Sequence, residues 1–119
     1  MKSSLAIIAA AAALAVSPAL AQPQAVSFTI VNNTEIAFTD LKIRRFGTAD
    51  WVPLRVTPVP VAPKGGTGAV EFSNQDCSFD LQATLPGGQV VVWSGVTLCE
   101  ARIVTLNRSP SGNLWVDYR

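Results

Sequence analysis

Apolar and polar residues alternate along Cys77–Leu85, and this period of two constrains the fold more than any other feature of the chain. Cys77, Phe79, Leu81, Ala83 and Leu85 share one parity; Ser78, Asp80, Gln82 and Thr84 share the other. Successive side chains of an extended strand point to opposite faces, so the pattern predicts a strand with one buried and one wetted face. Similar alternation recurs. Val26, Phe28 and Ile30 are expected inward around Ser27 and Thr29. Leu41 and Ile43 alternate with Lys42 and Arg44, and Val70 and Phe72 flank Glu71. Residues 101–107 and 113–118 add two further strands. β-Branched and aromatic residues fill these segments, as a half-buried pleated surface favours.

Turn chemistry separates the strands: Asn32-Asn33-Thr34, Phe46-Gly47-Thr48, Lys64-Gly65-Gly66, Pro86-Gly87-Gly88 and Ser109-Pro110-Ser111-Gly112. Residues 52–66 carry Pro53, Pro58, Pro60 and Pro63. Proline has no N–H to give a ladder, so this stretch is expected as an extended edge or a crossing between sheets. The reading is an all-β, antiparallel two-sheet sandwich of seven or eight short strands, immunoglobulin-like in general form. A small β-barrel is the alternative.

Residues 1–21 have the layout of a cleaved secretory signal. Lys2 is followed by an uncharged run from Leu5 to Val16, and Ala19-Leu20-Ala21 offers small residues to a peptidase. The run is shorter than the roughly 20 residues that span a bilayer. Gln22–Arg119 is then a single β domain that is not membrane-spanning. Of nine Lys and Arg, Lys2 leaves with the signal, so eight face eight Asp and Glu. A neutral domain has no electrostatic footprint for nucleic acid. The expected location is periplasmic or secreted.

The two cysteines, Cys77 and Cys99, bracket a hairpin that turns at Pro86-Gly87-Gly88. Gly95 is placed to hold a bulge that absorbs the leftover register. In an exported domain this pair reads as a disulfide. The C-x-x-C spacing of redox enzymes is absent. The chain has no His, so two Cys cannot supply the roughly four N or S ligands of a zinc site.

Asp76-Cys77-Ser78-Phe79-Asp80-Leu81, Trp93-Ser94-Gly95-Val96-Thr97-Leu98-Cys99-Glu100 and Gly112-Asn113-Leu114-Trp115-Val116-Asp117-Tyr118 resemble a family of small exported bacterial β-sandwich proteins of unknown function. Phe28–Thr34 and Asp50-Trp51 resemble its first half. Some members carry the name argininosuccinate lyase, which denotes a large helical enzyme that a chain of this size cannot encode. The resemblance implies no catalytic residues. Relatives have an Asp-Gly turn and acidic residues on the second hairpin strand, where this chain has Pro86-Gly87-Gly88 and Val90-Val91-Val92-Trp93.

With no His, Ser-His-Asp and Cys-His catalysis are excluded. Asp76 and Asp80 share a parity and are read as solvated acids; a glycosidase pair would need a cleft between them. Asn74, Asp76 and Asp80 do not match a calcium-binding loop. Lys42, Arg44 and Arg45 form the one basic cluster, read as a solvated face balanced by Asp40, with an anionic partner as the alternative. Trp93 fits the core. The candidate binding surface is Trp51, Val90, Val92, Trp115, Lys42 and Arg44. Val90 and Val92 either expose an apolar patch or sit under a second covered face.

The chain is therefore expected to be an exported non-catalytic binding or structural protein of the bacterial envelope, partnering a protein or envelope component and needing no cofactor or metal. A small-ligand or metal carrier, and then a carboxylate-only hydrolase, are the alternatives. Intact-mass analysis after alkylation should find a chain beginning at Gln22 and lighter by two hydrogens, with neither Cys77 nor Cys99 alkylated.

Overall fold

The computed structural model describes residues 24–119, so the signal read over residues 1–21 lies outside the described residues. Nine strands follow in order: β1 (Ala25–Asn33), β2 (Asp40–Arg45), β3 (Val52–Pro53), β4 (Arg55–Thr57), β5 (Gly66–Asn74), β6 (Ser78–Thr84), β7 (Val90–Thr97), β8 (Ile103–Arg108) and β9 (Leu114–Tyr118). They form a five-stranded sheet, β4-β5-β1-β8-β9, and a four-stranded sheet, β3-β2-β6-β7. The two sheets make a sandwich and not a closed barrel. Every pairing is antiparallel except β1 with β8, which run parallel. No helix among the described residues is long and apolar enough to cross a membrane.

The inner faces carry the alternating residues: Phe28, Ile30, Val70, Val104 and Leu106 from one sheet, Leu41, Ile43, Phe79, Leu81 and Trp93 from the other. Burying each large side chain contributes about 1.5–3 kcal/mol. The layers are also joined by direction-specific contacts. The Trp93 indole N–H donates to the Asn107 carbonyl across the sandwich at 2.9 Å. The Phe38 ring meets Trp93 edge-on at 5.7 Å, and Phe38 bridges Val61 through two backbone hydrogen bonds of 2.8 and 3.0 Å.

The proline-rich stretch is an edge and a crossing at once. β3 closes one edge of the four-stranded sheet, β4 closes one edge of the five-stranded sheet, and buried Leu54 passes between them. Leu54 N–H still finds the Leu41 carbonyl at 3.0 Å.

Two bulges break the alternation. In β7, Trp93 and Val96 are both buried although three residues apart. The register slips between Phe79/Val96 and Leu81/Trp93, leaving Asp80 opposite Ser94 and Gly95. Gly95 has φ +68°, a left-handed conformation that suits glycine. In β1 the slip lies between Val26 and Phe28. It turns Ala25 inward and leaves Val26 42% exposed, against the expectation that Val26 points in with Phe28. Ser27 fills the gap: its Oγ accepts the Phe72 N–H at 3.2 Å.

The bulge in β7 lets Cys77 meet Cys99. The two form a disulfide with Cα atoms 5.0 Å apart, and Leu98 N–H donates to the Cys77 carbonyl at 2.8 Å. Closing this loop, 22 residues in sequence separation, contributes roughly 3 kcal/mol. Replacing both cysteines by alanine should lower the melting temperature by roughly 10–20 °C while the strand signature in circular dichroism persists below the transition.

Candidate functional site

The ends of β2 and β5 and the start of β6 meet at the disulfide-braced end of the sandwich. Three loops converge there: residues 46–51, 75–77 and 98–102. The first begins with a tight turn. Thr48 N–H donates to the Arg45 carbonyl at 3.0 Å, and the Thr48 hydroxyl donates to the same oxygen at 2.7 Å. Gly47 takes φ +85° at the third turn position. The side chain before it, Phe46, is left 57% exposed.

Beside this turn lies a depression of about 320 Å³. Ile43, Phe72 and Phe79 form its apolar floor, and Arg45, Thr48, Asp50, Asn74 and Asp76 contribute its polar wall. The floor is aromatic-packed: Phe72 meets Phe79 edge-on at 5.2 Å and Phe28 at 6.4 Å. The wall is tied down too. Asn74 Oδ1 accepts the Asp76 N–H at 2.8 Å, and Cys77 follows directly in the chain. Arg45 pairs with Asp76 at 3.2 Å; both are exposed, so the pair adds little stability.

The outer face of the four-stranded sheet brings five of the six predicted surface residues together. Arg44 Nε donates to Asp80 Oδ2 at 2.8 Å, and the Arg44 guanidinium lies 4.3 Å from the centre of the half-buried Trp51 ring. Lys42, Gln82 and Val92 form one row across β2, β6 and β7. Val90 lies one row on, opposite Thr84, and is 52% exposed. On this outer face Val90 is open and Val92 is half-buried. Trp115 is 47% exposed but lies on β9, opposite Asn107 in the other sheet, away from Trp51.

Asp80 corrects the sequence reading. It was expected as a solvated acid; it is 2% exposed. The bulge faces it with two residues in place of one, and the Gly95 N–H donates to Asp80 Oδ1 at 3.1 Å. Burial pushes its carboxyl up. The Arg44 hydrogen bond, the Gly95 N–H, the Arg44 charge and the Ser94 hydroxyl outweigh burial and hold it below the usual aspartate range. The basic cluster is thus balanced by Asp80 and Asp76, where Asp40 was expected. Ionised and with both oxygens engaged, Asp80 is unsuited to donate a proton as a general acid. No group of three or more His, Cys, Asp or Glu converges among the described residues.

Sequence reasoning missed Phe46, whose signal was the glycine that follows it. It also read Asn32 only as a turn residue. Asn32 is buried: its amide donates to the carbonyls of Ile36 and Val61 at 2.9 and 3.1 Å, and its oxygen accepts from the Thr34 hydroxyl at 2.7 Å. A second concavity, about 420 Å³, is lined by Thr97, Glu100, Ala101, Tyr118 and Arg119 and holds none of the predicted site residues. The chain matches no protein-family profile, no curated protein sequence and no solved structure.

The lowered pKa of Asp80 means its ion pair stabilises the fold above the unfolded aspartate value, near pH 4, and that this contribution is lost as pH falls through the lower folded value. Asp80→Asn should therefore destabilise the protein by about 2 kcal/mol at pH 7. In strong acid, where Asp80 is itself protonated, urea titrations of the variant and the native chain should converge.

Proposed function

We propose that this protein is an exported, non-catalytic β-sandwich that binds a protein or cell-envelope component through its braced end. The observation that carries this reading is the juxtaposition of exposed Phe46, Arg44-stacked Trp51 and the aromatic-floored depression beside them. Aromatic residues and Arg are the types enriched where binding energy concentrates. They sit here on a loop held by the Arg45–Thr48 turn and the Arg44–Trp51 stack, so little loop ordering remains to oppose binding. The signal-like residues 1–21 and the resemblance of the Cys77–Cys99 segment to small exported bacterial proteins support export. A disulfide is compatible with an oxidising compartment.

The size of the depression favours a macromolecular partner. About 320 Å³ lies at the lower limit of pockets that enclose small ligands, roughly 300–1,000 Å³. Two Arg–carboxylate pairs already satisfy much of the polar group chemistry around it. Such a cavity suits one anchoring side chain or terminal group of a larger partner.

A photo-activated cross-linker placed at Phe46 in the living cell should capture a discrete partner identifiable by mass spectrometry. The same group at Ser111, in an exposed turn at the far end of the sandwich, should not. Equal capture from both positions, or none from position 46, would remove the braced end as the binding site.

A further inference from the structure

The four sheet edges are unequally protected. A free edge presents unpaired backbone groups, and proteins commonly guard it with brevity, proline or charge. β3 has two residues, one of them Pro53. β4 has three, including Arg55, and Pro58 follows at once. β9 has five, including Asp117. β7 has eight, Val90–Thr97, with no charge and no proline. Its far end is occupied: Thr97 N–H donates to the Tyr118 hydroxyl at 3.1 Å. The bulge at Ser94–Gly95 interrupts it next. What remains is Val90–Trp93, apolar and on the outside of the sheet order.

The chemistry of this segment selects its occupant. Across a two-fold axis a strand pairs with its own copy in reverse order, so charge of one sign on it is brought into the seam beside the same charge of the copy, with no opposite charge to meet. Of the edges longer than three residues, only β7 is free of charge. The outward residues of β6 directly beside this segment, Gln82 and Thr84, are uncharged as well. Antiparallel pairing about an axis at Val91 sets Val90 opposite Val92 of the second copy on the outer face, and Val91 opposite its own copy on the inner face. Each face then meets a matching apolar residue, and Val90, 52% exposed in the single chain, is covered.

We propose that a second copy of this chain pairs with β7 over Val90–Trp93, fusing the two four-stranded sheets into one continuous sheet of a symmetric dimer. This stands independently of the binding role of the braced end.

Sedimentation of the purified, disulfide-bonded protein from micromolar to millimolar concentration tests the proposal. A concentration-dependent doubling of mass is expected. The double variant Val90→Lys/Val92→Lys should weaken it at least about tenfold, with unchanged circular dichroism, because both side chains point away from the core. In the unmodified protein, hydrogen exchange at residues 90–93 should slow as concentration rises. A single monomeric species throughout, a dimer indifferent to the lysines, or exchange at residues 90–93 that ignores concentration would each overturn it.

Discussion

Trp93 and Val96 are both buried, and their odd spacing is the constraint on which the braced end depends. A pleated strand cannot turn residues three apart to the same side unless its register slips by one. The slip at Ser94–Gly95 does several things at once. It keeps Val96 and Leu98 in the core, brings Cys99 over Cys77, and aims an extra N–H at Asp80. Without it the second half of β7 would present the wrong face to the other sheet. The disulfide, the Arg44–Asp80 pair and the Arg44–Trp51 stack all lie within a few residues of this slip or of its partner strand.

Most of the architecture was legible in the chain because alternation is a local signal. β1, β2, β5, β6, β8 and β9, the inward set of Phe79, Leu81, Ala83 and Leu85, and the role of residues 52–66 as edge and crossing follow from parity and proline alone, and β7 follows from the turn at Pro86-Gly87-Gly88. The errors share one physical origin: they concern residues whose surroundings come from distant parts of the chain. Val26 was misplaced because the β1 bulge answers to β5, some 45 residues on. Asp80 was placed in solvent because its cover is Arg44, 36 residues earlier. The parallel pairing of β1 with β8 has no sequence signature, since no short connection links the two strands.

The candidate site was partly visible for the same reason. Lys42 and Arg44 are two apart, and Val90 and Val92 are two apart, so each pair was assigned a common face. That both pairs share one sheet with Trp51 nearby, while Trp115 lies on the other, is a matter of strand order. Phe46 shows a different limit. An aromatic residue before glycine in a turn is exposed by backbone geometry, and a search confined to strand parity passes over it.

The two sides of the sandwich differ in how the layers are held. On one side the backbone itself runs from β3 to β4, with Leu54 clamped between. On the other, β7 and β9 are bridged at one end by a single phenolic hydroxyl, that of Tyr118. Residues 98–102 carry the chain from β7 across to β8 at that same end. Away from that tied end, an opening between β7 and β9 would be reported by the Trp93 indole, which crosses to the Asn107 carbonyl beside β9.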